Sequence, residues 1–294
     1  MVEHSRVFSR DRETIMDGWL MHLDQATWEQ TTPMGSVLRI YLLGMVDFEA
    51  ALALQRTLAF EMSEQRESAA LVLCEHPPIL TVGRDGSPAD IRCDIDELRR
   101  RGWPVRWVNR GGGALLHLPG QLAIYPILPL DWRRLGLADY LARLQRILVA
   151  VLDDFSVSAD TRPGQPGVWT GRRLVAGVGV AVRDWVAYYG AYLNIDADLF
   201  PFRIVRTGPN EPEPMTSLVR ERRAPLRPAL VRERLLEHFT TAFPFARTAL
   251  FSHHPCLGSR PTQAGHLRVS HGRGETEFRG RRSQTELGNE ENSG

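Results

Sequence analysis

The chain has 294 residues, 43% hydrophobic and 24% charged, with a formal net charge of +1. Such a composition fills a full globular core, and the balanced charge excludes a nucleic-acid-binding surface as its organising feature. Three scattered cysteines (Cys74, Cys93, Cys256) with no C-x-x-C spacing exclude a disulfide framework and a structural zinc site.

Residues 1–35 are polar and carry no apolar leader segment, and no apolar run reaches the length of a bilayer. The expectation is a cytoplasmic protein without a membrane or nucleic-acid partner, metal or cofactor, led by an added arm with one short helix. Residues 37–43 are apolar and branched, as in a strand. Phe48, Leu52, Leu58 and Met62 fall near helical spacing. Residues 69–74 form a buried-type strand that Pro77 and Pro78 stop, since proline removes a ladder donor, and residues 79–82 form another. A short helix is expected over 94–101, with Asp94 as its N-cap. Residues 105–108 lead into a glycine run, and 122–128 form a strand beyond Pro119-Gly120. Leu137, Leu141, Leu144, Leu148, Val151 and Phe155 mark the clearest helix. Strands are expected over 167–170, 173–182 and 185–195, the last two joined by a turn at Arg183-Asp184. A helix over 230–243 closes the domain. Beyond Leu257 large apolar residues give way to glycine, serine, arginine and glutamate, so that tail does not offset its ordering entropy. The pattern predicts an α+β fold, a mixed sheet with packed helices rather than a doubly wound parallel sheet. Its expected divisions are an N-terminal extension (1–35), one domain (36–250) and a disordered tail (251–294).

Three blocks carry the chemistry. RGGGALLHLPGQ (residues 110–121) places three consecutive glycines after an arginine, which permits close backbone approach and positive φ. It is neither a Walker loop, lacking Gly-Lys-Ser/Thr, nor a Rossmann fingerprint. EHPPILTVGR (75–84) precedes it and PGVWTGRRLVAGVGV (166–180) follows. By themselves these glycines suit a tight connection between strands, with His117 as a satisfied core residue. Together, in this order and over about residues 37–220, the blocks resemble the lipoyl(octanoyl)transferases of the biotin and lipoate protein ligase superfamily. The resemblance implies a biotin/lipoate-ligase-like domain in which Arg110, Gly111, Gly112, Gly113, Ala114, Leu115, Leu116 and His117 wall an acyl pocket. It adds Gly177, Val178 and Gly179, and Gly190, Ala191 and Tyr192, as further substrate contacts. It also implies octanoyl-acyl carrier protein and lipoyl-domain proteins as partners in protein lipoylation.

The same resemblance locates a departure. Arg206-Thr207-Gly208 stands where the family has Pro-Cys-Gly, so Thr207 occupies the nucleophile position. Counting from Gly167, the family lysine falls on Leu174, and a one-residue slip gives Arg173. Tyr189 stands where a histidine is usual. A threonine hydroxyl stays protonated at neutral pH and needs a base to attack, whereas a thiolate beside a lysine does not. Cys74, at a strand end, and Cys256, after His253-His254-Pro255, are the other candidate thiols. Two readings follow: an acyltransferase that moves octanoyl from its carrier to a lipoyl-domain lysine, or a catalytically inactive homologue that binds a medium-chain acyl group, a lipoyl group or the carrier. A lipoate-adenylating ligase is disfavoured because it too relies on a lysine.

Overall fold

The computed structural model describes residues 35–204 and 214–252. Thr207, Cys256 and nearly all of the expected arm and tail lie outside these residues. Strand β1 (Val37–Met45) leads into helix α1 (Phe48–Glu64). Asp47 starts that helix by accepting the N–H groups of Glu49 and Ala50 at 2.9 and 3.3 Å, which satisfies two donors that a helix N-terminus otherwise leaves orphaned. The helix carries the chain over the sheet, so β2 (Ser68–Glu75) returns parallel to β1, as a crossover connection requires.

There follow β3 (Ile79–Val82), α2 (Ile95–Arg100), β4 (Val105–Trp107), β5 (Ala114–His117) and β6 (Gln121–Pro129). Asp94 caps α2 as expected, accepting from the Asp96 N–H at 3.3 Å. Then come α3 (Leu137–Asp154), β7 (Asp160–Arg162), β8 (Gln165–Thr170), β9 (Arg173–Arg183) and β10 (Val186–Asn194). Helices α4 (Leu218–Arg222) and α5 (Pro228–Ala242) and strand β11 (Arg247–Phe251) complete the described chain.

Eight strands form one mixed sheet in the order β11-β1-β2-β6-β10-β9-β8-β7, and β4-β3-β5 form a second, smaller sheet. Only the β11–β1 and β1–β2 pairs of the large sheet are parallel. Alternation along β2 sends Leu71 and Leu73 to one face and Val72 and Cys74 to the other. On the first face α3 and α5 pack through Leu144, Ile147, Leu148, Leu235 and Phe239. Each such fully buried side chain contributes about 1.5–3 kcal/mol. Helix α1 covers the second face through Ala51, Leu54, Leu58 and Met62. This is the α+β arrangement expected from the sequence.

Three local differences have physical causes. Asp184 and Trp185 both have positive φ, 50° and 61°, the geometry of a tight hairpin turn, so that turn lies one residue later than expected. The four residues after the glycine run form β5, a strand too short for alternation to be visible. Strand β11 was not expected at all. It is a half-exposed edge strand, with too little apolar pattern to stand out.

Candidate functional site

Between the two sheets lies a cavity of about 440 Å³. One wall comes from the glycine run and β5, another from β9 and β10, and a lip from the β7–β8 hairpin at Gly164, Gln165, Pro166 and Gly167. The structure brings together residues 110–115, His117, residues 177–179 and residues 190–192 around this space. The exception is Leu116. Successive side chains on a strand face opposite ways; Leu115 and His117 face the cavity, while Leu116 is fully buried in an apolar cluster with Leu80 and Leu98. Leu116 therefore packs the small sheet instead of touching the cavity.

The glycines of all three sequence blocks surround one side chain. A Cβ on Gly83 would sit 2.9 Å from the Arg110 guanidinium, one on Gly112 3.5 Å from it, and one on Gly179 3.5 Å from Arg110 Cδ. The tighter clashes are with backbone: a Cβ on Gly83 would stand 2.3 Å from the Gly112 carbonyl oxygen and one on Gly179 2.8 Å from the Gly111 carbonyl oxygen, so these glycines let the run pack closely against β3 and β9, with Arg110, only 8% exposed, lying among them. Its guanidinium donates to the Thr81 carbonyl at 3.0 Å, to Thr81 Oγ1 at 2.8 Å and to the Gly111 carbonyl at 3.0 Å. The Nε–H is sealed from solvent and has no partner. Two of the three backbone donors of the run are also engaged: Gly111 N–H binds the Val180 carbonyl and Gly112 N–H binds Asp85 Oδ2. No described group accepts from Gly113 N–H.

From Arg110 a chain of hydrogen bonds crosses the domain. The Thr81 hydroxyl, already accepting from Arg110, lies 3.2 Å from His117 Nε2 and 3.5 Å from the Leu115 carbonyl, to either of which its one proton can go. His117 Nδ1 donates to Gln121 Oε1 at 2.9 Å, Gln121 Nε2 to Asn194 Oδ1 at 2.9 Å, and Asn194 Nδ2 to the Thr216 carbonyl at 3.0 Å. A neutral imidazole protonated on Nδ1 and accepting at Nε2 satisfies these partners. Burial holds the His117 pKa well below the usual histidine range, and nearby His76 and Arg110 add to the effect. Burial also lowers His76, which bridges the Val46 carbonyl at 2.7 Å and the Tyr125 hydroxyl at 2.8 Å.

These histidines make stability pH-dependent. Above about pH 6.5 they are neutral in both folded and unfolded chains. Below it the unfolded chain binds protons that the folded chain refuses, so stability falls with pH. Thermal melts from pH 7.5 to 5 are expected to show this decline, and to show a shallower one for His117→Gln. Equal slopes for the two proteins would remove His117 from the account.

Where the resemblance places a lysine, Leu174 is 7% exposed and packs with Trp169, Tyr192 and Met215. The neighbouring Arg173 points away from the cavity and forms a bidentate pair with Glu221, both contacts at 2.8 Å. Arg173 therefore does not supply the missing cation. Cys74 is buried off the cavity, 3.7 Å from His76 Nε2. Burial and the charge of Glu75 push its pKa far up, so the thiol stays protonated. Cys93 is likewise raised by burial and lies outside the cavity. No thiol among the described residues is placed or ionised for attack. Nor is any cluster of three His, Cys, Asp or Glu side chains placed to hold a metal among them. None of their helices is long and apolar enough to cross a membrane.

Phe48, Tyr125 and Trp169 also line the cavity and were not singled out from the sequence. Their helical or strand periodicity marks them only as core. The signal for Trp169 was its place inside the third block, beside Gly167.

The fold is shared with solved lipoate protein ligases. The putative lipoate protein ligase of T. acidophilum, solved with bound lipoic acid, aligns with a TM-score of 0.56 at 17% identity, covering 72% of this chain and 89% of that one. The chain belongs to the lipoyl(octanoyl)transferase family of the biotin and lipoate protein ligase superfamily. Residues 47–240 match the lipoyl protein ligase A/B catalytic domain. The chain is 38% identical to the octanoyltransferase of Geotalea uraniireducens over 184 residues, 63% of this chain and 83% of that protein. With the octanoyltransferase of Solibacter usitatus it shares 36% identity over 207 residues, 69% and 91% of the two chains.

Proposed function

We propose that this chain, through a domain spanning 36–250, binds the medium-chain acyl group handled in protein lipoylation without forming the thioester intermediate of its relatives. The donor would be octanoyl-acyl carrier protein, and the acceptor proteins those bearing lipoyl domains. The binding residues are Arg110, the three glycines after it, Ala114, Leu115, His117, residues 177–179 and residues 190–192. Leu116 is left out because it does not line the cavity. The Gly113 N–H supplies the free backbone donor for a carbonyl oxygen, since Gly111 and Gly112 are committed.

The observation that carries the reading is the apolar wall at Leu174, where a cation would be needed to stabilise a thiolate. Tyr192 supports it, lying over Gly177 where a Cβ would come within 2.5 Å of its ring; the glycine makes room for an aromatic wall against an acyl tail. Incubating the full chain with octanoyl-acyl carrier protein should give a complex that survives gel filtration and shows no octanoyl mass added to the chain. A covalent octanoyl mass, with transfer to a lipoyl domain, would establish the acyltransferase reading instead.

A further inference from the structure

An apolar groove lies apart from the cavity, where β9 turns into β10. Val182 and Trp185 stand there beside Leu137, the first residue of α3, over a floor formed by Leu130. Val182, Leu137 and Trp185 are 38, 45 and 60% exposed, whereas Leu130 is buried. Several large apolar side chains held together in water usually mark a surface that something covers.

Contacts along one end of the large sheet join this groove to the point where the N-terminal arm enters the domain. Ser36 Oγ accepts from the Ala246 N–H at 2.9 Å. Arg133 stacks on Phe245, 4.0 Å from the ring centroid, and donates to the Pro244 carbonyl at 3.3 Å. Arg66 donates to Asp131 at 3.1 Å and to the Asp184 carbonyl at 2.8 Å. From β1 to β10 there are three strand-to-strand steps, about 14 Å at the usual spacing. Strand β11 runs parallel to β1, so the chain leaves Phe251 at the other end of the sheet, and the C-terminal segment starts a strand length farther from the groove.

Residues 1–34 lie outside the described residues, and the match to the catalytic domain begins only at residue 47. Within the arm, Met16, Trp19, Leu20 and Leu23 fall at i, i+3, i+4 and i+7, the anchor spacing of a segment that seats in an apolar groove. Twelve residues separate Leu23 from Gly35, a reach of about 40 Å when extended, which comfortably exceeds the distance to be crossed. We propose that residues 16–23 dock, within the same chain, in the groove formed by Leu130, Leu137, Val182 and Trp185. The tether holds the segment at a millimolar effective concentration, so a shallow groove retains it without high intrinsic affinity. Docking there braces the hairpin whose strands, β9 and β10, wall the cavity.

Limited digestion of the full chain with chymotrypsin tests this, since the protease cuts after Trp, Leu and Met only in segments that are released. Two variants remove the groove while respecting its backbone. Trp185→Asp suits the positive φ of 61° at that position, and Leu137→Asp places a carboxylate in the first turn of α3, where it is favourable. Each should be cut within residues 16–23 roughly tenfold or more faster than wild type, with circular dichroism unchanged. Conversely, Trp19→Asp combined with Leu23→Asp should speed hydrogen exchange at residues 182–186 by a similar factor. Equal cleavage of wild type and both groove variants would overturn the proposal, as would unchanged exchange in the arm variant. Protection that rises with protein concentration would also overturn it, assigning the groove to a second copy of the chain.

Discussion

Thr207→Cys combined with Leu174→Lys is expected to produce an acyl-thioester on residue 207 and octanoyl transfer to a lipoyl domain, where the wild-type chain gives little or none. Position 174 is held against the segment that follows residue 213. Its N–H donates to the Pro214 carbonyl at 3.0 Å and its carbonyl accepts from Thr216 N–H at 2.9 Å. A cation placed there is thus held against residues 214–216. A positive charge within reach lowers a thiol pKa by about one to three units, which raises the thiolate fraction at neutral pH by roughly ten- to a thousandfold. Thr207→Cys alone should therefore acylate more slowly than the pair. Because Leu174 is buried among Trp169, Tyr192 and Met215, the lysine loses solvation, and folding of the variant must be verified first. The readout is unusually clean. The 36 basic side chains other than histidine are all arginines, so an octanoyl mass on the wild-type chain cannot sit on a lysine side chain. If wild type transfers octanoyl efficiently, keeps that activity in Thr207→Val and loses it in Cys74→Ser, the non-covalent reading fails and the nucleophile is Cys74.

Two glycine substitutions should separate the fold from the cavity. Gly190→Ala is expected to destabilise the protein by about 3 kcal/mol or more, at the upper end of what overpacking a core costs. Its Cβ would stand 2.3 Å from the Ile124 carbonyl oxygen and 2.5 Å from Pro126 Cδ. The first is backbone of β6, which lies between β10 and β2 and cannot move without disturbing both. Gly111→Ala, by contrast, meets nothing closer than 3.7 Å and should leave stability within about 1 kcal/mol while changing acyl affinity. Gly112 is a poorer probe, because its φ of 83° would strain any branched side chain as well as fill space. Chemical denaturation of the two variants beside wild type checks the contrast; equal losses would mean that the glycine run serves the fold alone.

Much of this was legible in the chain. The apolar spacing of α3, the proline stop after β2 and the glycine punctuation between strands are local signals, and each fell where expected. So did the gathering of residues 110–115, 177–179 and 190–192 around one cavity. What was not legible is relational. Nothing local says that Gly83 and Gly179 lack a Cβ because the backbone of the glycine run lies against them, since these segments meet only after the sheets form. The hydrogen-bond chain from Arg110 to Thr216 spans residues 81 to 216 and leaves no periodic trace. Leu116 was read as a cavity residue because the family segment is continuous, whereas the pleat of β5 sends alternate side chains away from it.

The pairing of β1 with β11 also bears on how the protein is made. Val37 is matched with Arg247, and the five pairs of that ladder all join residues 210 apart. During synthesis β1 gains β2 early, but its other edge has no partner until almost the whole domain has been translated. An unpaired edge of alternating apolar residues is a template for pairing with another chain, and contacts this distant in sequence are slow to close. The vulnerable species is therefore the nascent chain just short of β11, and expression at lower temperature or with a holding chaperone should raise yield more than any change at the cavity.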